Sequence, residues 1–340
     1  MDVIEKSIDQ IDQIDQIDQI DQIDQDALTK LIEKYKPYTK QGKVADYIPE
    51  LAYANPHALG IAAAFPDGTI IAAGDARVRF TLQSISKVIA LMAALNECGP
   101  ERVFSKVGME PSVDPFNSIV KLETVDHKKP LNPMINAGAI VICSLLSAGG
   151  SVDARLQRLC DAIGRITGRK DIVINEKVFE SERITGDRNR ALAYFMKSTG
   201  VIEPDVNIEE TLELYFKACA IEVDCIDLAK ISLFIAMKGQ CLQAQSDETC
   251  RTTGIISPEI AQIVTTIMVT SGMYNRSGEF FLKVGLPAKS GVSGGVAALV
   301  PGRCGFGLFG PAIDEAGNSV ASVHMLQELS GTYGLHLLSR

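Results

Sequence analysis

Gln83-Ser84-Ile85-Ser86-Lys87-Val88-Ile89-Ala90-Leu91-Met92-Ala93-Ala94-Leu95 is the stretch on which the reading of this 340-residue chain turns. Ile85, Val88, Ile89, Met92 and Leu95 recur at helical spacing, which predicts a helix central to the core. Ser84 and Lys87 stand three residues apart, one turn, on one side of it. The hydroxyl falls at the helix N-terminus, where the dipole favours a developing anion. Val88, Ile89 and Ala90 follow Lys87, and desolvation among them lowers an amine's pKa until it can serve as a general base. The spacing therefore permits a serine nucleophile with a lysine base; the blander reading is chance, since ordinary composition supplies a lone Ser-x-x-Lys about once in such a chain.

Working outward, Lys289-Ser290-Gly291 directly precedes two strand candidates, 294–300 and 304–309, joined around Pro301-Gly302. A Ser-x-x-Lys at a helix start, followed much later by Lys-Ser/Thr-Gly on a strand, is the order found in serine β-lactamases and penicillin-binding proteins. The helix supplies nucleophile and base, and the sheet supplies a cation and backbone donors. The N–H groups of Val292 and Ser84 are the candidate oxyanion pair. Two further strands, 59–65 and 69–73, flank the turn Pro66-Asp67-Gly68. The chain between about 83 and 275 reads as helical. A short amphipathic helix over 27–35 opens the body and another over 318–329 nearly closes it. Strands at both ends around a helical middle predict one sheet completed by distant segments.

Residues 1–26 carry nine acidic side chains against Lys6 alone, a balance of −8 within a chain total of −9. The body is thus nearly neutral and offers no broad basic field for nucleic acid. Ile-Asp-Gln repeats six times between Ile8 and Gln25. Each step of three rotates an isoleucine about 60° around a helix, so no apolar stripe forms. The expectation is a solvated acidic tail over 1–26, with a catalytic body over 27–340. The eight cysteines, none in Cys-x-x-Cys, sit mostly in apolar runs, which predicts reduced, buried thiols in a cytoplasmic protein. No basic-then-apolar leader signals secretion. The uncharged run 130–152 is long enough to span a bilayer, but Asn132, Pro133, Asn136 and Ser144 interrupt it, and a buried helix in a non-membrane protein fits better. Gly305-Phe306-Gly307-Leu308-Phe309-Gly310 matches the dinucleotide pattern by letter, yet Pro311 follows and no helix opens. It reads as a glycine-bearing strand. Tyr53-Ala54-Asn55 lies in the wrong order for a β-lactamase motif. His57, His127, His324 and His336 show no metal-ligand spacing, so neither metal nor cofactor is implied.

Six blocks, in order, resemble the serine-dependent glutaminases: Val44–Pro49 with Tyr47, Gln83–Lys87, Asn132–Ala139, Ser181–Asn189, Gly272-Met273-Tyr274 and Gly285–Val292. The resemblance runs from about residue 27 to near the end and leaves the repeat without a counterpart. No Ser-x-Asn triplet occurs, which departs from the β-lactamases proper. The resemblance implies an α/β (α+β) β-lactamase-like two-layer fold, an antiparallel sheet flanked by helices with a mostly helical lobe. It implies hydrolysis of L-glutamine to L-glutamate and ammonia through an acyl-enzyme, in a homodimer or homotetramer. By position Ser84 is the nucleophile, Lys87 its base and Tyr274 the relay to the leaving ammonia, with the base role open to Tyr274 as well as to Lys87. Tyr47, Asn136, Glu182, Asn189 and Tyr215 surround the amino-acid end of the substrate, and Val292 faces the oxyanion. Without the resemblance, Tyr215 reads as core, Asn189 as a helix cap and Glu182 as part of a solvated charge run. The competing functions are another amidohydrolase or esterase of the same superfamily and a catalytically lapsed glutamine-binding sensor.

Overall fold

The computed structural model describes residues 20, 22–112, 118, 129–146, 150–240 and 256–339. His127, Cys241, Cys250 and most of the Ile-Asp-Gln repeat lie outside the described residues. The expected hairpins form β1 (Gly60–Ala64) with β2 (Ile70–Gly74), and β6 (Gly295–Val300) with β7 (Cys304–Phe309). Lys289 and Ser290 lie on β5 (Ala288–Ser290). One antiparallel sheet of order β2-β1-β7-β6-β5 joins the two ends of the chain, through the β1–β7 register Gly60↔Phe309 to Ala64↔Gly305. A small second sheet pairs β3 (Phe80–Thr81) with β4 (Glu222–Val223); β4 lies within the stretch read as helical and β3 just before it.

Helices cover both faces of the large sheet. On one side lie α1 (Gln25–Tyr35), α10 (Ser277–Lys283) and α11 (Val320–Thr332), whose apolar residues share a core with Ile61, Val296, Ala298, Phe306 and Leu308. Against the other face packs α8 (Cys225–Ala236), leading into the helical lobe: α2 (Ser86–Lys106), α3 (Asn136–Leu145), α4 (Val152–Thr167), α5 (Glu176–Thr185), α6 (Asp187–Ser198), α7 (Ile208–Cys219) and α9 (Pro258–Ser271). The alternating glycines of β7 are there for α8. A Cβ on Gly305 would sit 2.1 Å from Leu233 N, and one on Gly307 2.1 Å from Cys225 O. The dinucleotide-like letters therefore encode a strand planed flat for a helix, as its neighbouring Pro311 suggests.

The uncharged run forms α3, and all of Asn136–Ser144 is buried. Among the described residues no helix is long and apolar enough to cross a membrane. The six described cysteines are free thiols, five of them buried.

The expectation of a solvated tail over 1–26 does not hold for its last two isoleucines. Ile20 and Ile23 are both buried in the core beneath α1. A turn, with Ile23 N–H donating to Ile20 O at 3.1 Å, brings them to the same side. The 60° drift applies to a continuous helix, and the chain is not one here. Asp24 then caps α1 by accepting from Ala27 N–H at 2.8 Å, and Gln25 Nε2 donates to Ala72 O on edge strand β2 at 2.7 Å. Core packing thus reaches back to Ile20. Truncating a buried isoleucine costs about 2 kcal/mol or more, so Ile20→Ala with Ile23→Ala should lower the urea midpoint clearly, with an unchanged m-value. A midpoint equal to that of the parent chain would show that the two side chains are not docked.

Candidate active site

The Leu82–Lys87 turn is held from three sides. Leu82 N–H donates to Ile221 O at 2.8 Å, Ser293 Oγ donates to Thr81 O at 2.7 Å, and Gly291 approaches so closely that a Cβ there would lie 2.6 Å from Leu82 O. Gln83 carries φ of 47°, a backbone conformation that costs a non-glycine residue on the order of 1–3 kcal/mol and concentrates at functional sites. Ser84 follows in the 3₁₀ turn that leads into α2.

Lys87 Nζ donates to Ser84 Oγ at 2.6 Å, and both residues are buried. Burial holds the Lys87 amine below its ordinary pKa, against the opposing pull of neighbouring thiols and Glu182. Tyr274 comes from the opposite side, from the short turn after α9. Gly272 ends that helix against β5, where a Cβ would lie 1.8 Å from Ala288 O, and Ser290 N–H donates to Gly272 O at 3.2 Å. Tyr274 has φ of 55°. Its hydroxyl donates to Ser290 O at 3.1 Å and is hydrogen-bonded with Ser84. Burial raises the phenol above its usual pKa, while the Ser84 contact draws it down. A hydroxyl between an amine and a phenol can lose a proton on one side while the phenol delivers one to a leaving group.

Above Ser84 opens a small cleft of about 90 Å³. Tyr47, Ser84, Asn136, Glu182, Asn189, Tyr215 and Val292 line it, with Lys87 and Tyr274 bonded to Ser84 beneath. The structure thus brings all nine residues singled out from the sequence to one place. Asn132 explains the Asn136 position: its Oδ1 accepts from Met134 and Ile135 N–H at 3.0 and 3.2 Å, shaping the turn from which α3 starts. Asn136 Nδ2 donates to Asn189 Oδ1 at 3.1 Å. Glu182 ends α5 and Asn189 opens α6, and the break at Gly186 lets the chain pass against the Phe216 ring beside Tyr215. Tyr47 is 52% exposed and stands at the rim.

Glu182 corrects the solvated reading of its charge run. Its neighbours Glu180 and Arg183 pair with each other at 2.8 Å in solvent, while Glu182 faces inward and is 7% exposed. Burial pushes its carboxyl up to about 7, moderated by the Lys87 charge and a hydrogen bond from Gln83. Among the described residues nothing partners its Oε2. Sequence reasoning missed Gln83 and Cys219 as parts of the cleft. Gln83 was signalled by its place beside Ser84. Cys219 lies one helical turn beyond Tyr215, a spacing that could have found it.

An antiparallel sheet flanked by helices, with Ser-x-x-Lys at a helix mouth and Lys-Ser-Gly on the facing strand, defines a protein of the β-lactamase-like fold class. The glutaminase family model matches residues 42–338, and the chain belongs to the glutaminase family. It is 51% identical over 312 residues to the glutaminase of Geobacillus thermodenitrificans, covering 92% of this chain and 98% of that protein. It is 50% identical over 312 residues to that of Clostridium tetani, covering 91% and 98%. A solved Bacillus subtilis glutaminase, in covalent complex with 5-oxo-L-norleucine, is 41% identical with a TM-score of 0.81, covering 92% of this chain and 98% of that one.

The raised Glu182 carboxyl fixes a sign for stability. The folded state holds a proton on Glu182 up to about pH 7, whereas an unfolded glutamate releases it near pH 4.3. Folding is therefore penalised increasingly as pH rises through that window, and not below it. Glu182→Gln should melt higher than the parent at pH 8, and this advantage should shrink at pH 5. An advantage independent of pH would mean that the carboxyl is not perturbed.

Proposed function

We propose that the chain hydrolyses L-glutamine to L-glutamate and ammonia through an acyl-enzyme on Ser84. The observation that carries this reading is that the Ser84 hydroxyl, hydrogen-bonded by Lys87, and the buried Glu182 carboxyl, whose Oε2 has no partner among the described residues, open on the same cleft. One end of the site can activate a nucleophile and the other can take a cation. The glutamine analogue bound covalently by the Bacillus subtilis relative supports the same substrate class.

Lys87 takes the Ser84 proton as Oγ attacks the side-chain amide carbon. The Ser84 and Val292 amides hold the oxyanion. Tyr274 delivers a proton to the amide nitrogen as the C–N bond breaks, and ammonia leaves. The proton that Lys87 took passes to the Tyr274 phenolate; water then attacks the ester, its proton going to Lys87 and from there to Ser84 Oγ, which releases glutamate and restores the serine. Glu182 pairs with the α-ammonium, while Asn136, Asn189, Tyr47 and Tyr215 hold the α-carboxylate end. Free thiols fit a cytoplasmic setting, and the near-neutral body fits a protein bound to neither nucleic acid nor membrane; a homodimer or homotetramer is the assembly we infer.

Ser84→Ala should lower ammonia release from glutamine by several orders of magnitude with an unchanged melting curve. More than about a hundredth of parental activity would remove Ser84 from the nucleophile's role. Glu182→Gln keeps the size and removes the charge. It should cost roughly thirty- to a thousandfold in kcat/KM on glutamine, about 2–4 kcal/mol of transition-state stabilisation, yet leave acylation of Ser84 by a small activated ester without an amine nearly unchanged. Equal losses on both substrates would place Glu182 in the fold or the chemistry instead of in amine recognition.

A further inference from the structure

A second cavity, of about 170 Å³, opens between the turn that carries Tyr274 and helices α10 and α11. It shares no lining residue with the cleft above Ser84. Its wall is largely apolar, formed by Met273, Phe280, Val284, Val320 and Val323. An apolar cavity of about 150 Å³ is enough to hold benzene, so this one has room for a single aromatic ring. Charged side chains also line it, but they answer one another. Arg276 pairs with Glu279 at 3.0 Å and with Asp314 at 3.7 Å, and Lys283 pairs with Glu279 at 2.6 Å. Two cations and two anions leave no net charge to attract an ionic occupant. His324 adds an imidazole that burial and Lys283 hold below its ordinary pKa, hence neutral at pH 7 and above. That ring packs with Tyr35 and Tyr38 at centroid distances of 6.0 and 4.7 Å, and so brings an aromatic group to the cavity wall.

Asn318 supplies the polar requirement. It lines the cavity and is 3% exposed. Its Nδ2 donates to Met273 O at 3.4 Å, and among the described residues nothing partners its Oδ1. A buried acceptor without a donor is costly, and a donor held in the cavity would remove that cost. The same residue stands next to Tyr274 on two sides. Met273 immediately precedes the tyrosine, and Gly317, immediately before Asn318, lies so near its ring that a Cβ there would be 3.2 Å from Cε2.

We propose that this cavity is a second binding site, for a neutral single-ring aromatic molecule with one hydrogen-bond donor, of the phenol class, and that its occupant raises turnover through Asn318. A donor to Oδ1 polarises the amide, so that Nδ2 holds Met273 O more firmly and the turn carrying Tyr274 is steadied. Asn318 is thus a positioning residue for Tyr274. Binding at the cavity stands apart from the reading of the cleft; the effect on turnover rests on that reading, through the role it gives Tyr274.

The test titrates the full chain with 3-fluorophenol and with fluorobenzene, followed by fluorine NMR, so that binding is read without turnover. Fluorophenol should bind saturably with a Kd of about 1 mM or tighter, and fluorobenzene at least about tenfold more weakly. Val323→Phe, which fills the cavity from α11, should abolish binding, and Asn318→Leu should erase the preference for the phenol. Melting curves establish that both variants are folded; where one is not, Val323→Leu or Asn318→Ala takes its place, with a smaller effect of the same kind expected. Saturating fluorophenol should raise kcat on glutamine about twofold in the parent chain and leave it unchanged in Asn318→Leu. No saturable binding below about 10 mM, equal affinity for the two probes, or unchanged binding in Val323→Phe would overturn the site. Binding as expected with kcat unmoved overturns the link to Tyr274. A parent chain that releases no ammonia from glutamine sinks the proposed function and the turnover effect with it, while the fluorine titration still decides the site.

Discussion

The bond from Lys87 to Ser84 is the constraint around which the molecule is arranged. An amine in water is protonated and useless as a base, so it must be buried, and burial requires a dry core at the very point where substrate enters. The fold reconciles these demands by starting its central helix at the cleft. Ser84 and Lys87 occupy the first turn, while Val88 to Leu95 run on into the interior. The strained Gln83 backbone, the near contact of Gly291 with Leu82 and the anchoring of Leu82 on Ile221 all act on that turn. The sheet joins the two ends of the chain, and so carries β5 with Lys289 to the mouth of a helix encoded two hundred residues earlier.

Much of this was legible from residue order, because the signals were local. The hairpin turns, the apolar spacing after Ser84 and the small, uncharged residues of α3 depend on neighbours in sequence; the hairpin strands appear within a residue or two of expectation, and the run 130–152 yields a helix over Asn136–Leu145. The glycine pattern of β7 was legible as a strand but not in its purpose, since α8 comes from eighty residues away. Glu182 was not legible from its own surroundings. Glu180 and Arg183 make an ordinary exposed pair, and only the packing of α5 against the segment behind Tyr47 turns the intervening carboxylate inward. Tyr215 is similar: in the chain it is one apolar residue among several, and its place in the cleft follows from the side that α7 presents to α3 and α6. For these residues the family blocks supplied what periodicity does not.

The repeat fails in the opposite direction. Period-three spacing was followed correctly around a helix, but a turn between Ile20 and Ile23 replaces the helix and lets two isoleucines meet the core. Composition set the expectation, and one backbone hydrogen bond reversed it for those residues.

The electrostatics of the cleft give these observations a common logic. Burial pushes Glu182 toward its neutral form and Lys87 and Lys289 toward theirs, so the site carries little fixed charge until something enters it. A ligand bearing an ammonium stabilises the ionised Glu182, whose unpartnered oxygen is otherwise an uncompensated burial. The same residue that is costly to the empty fold thus becomes favourable on binding, and the difference is available for selecting a zwitterionic amide over a bare one. In the proposed reaction Lys87 acts in its neutral form, and a Glu182 carboxylate ionised by a bound ammonium is drawn to that ammonium as well as to the lysine. Recognition is therefore tied to one buried carboxyl: an amide without the amine forgoes the pairing that ionises Glu182, and with it the binding that would select a zwitterionic amide.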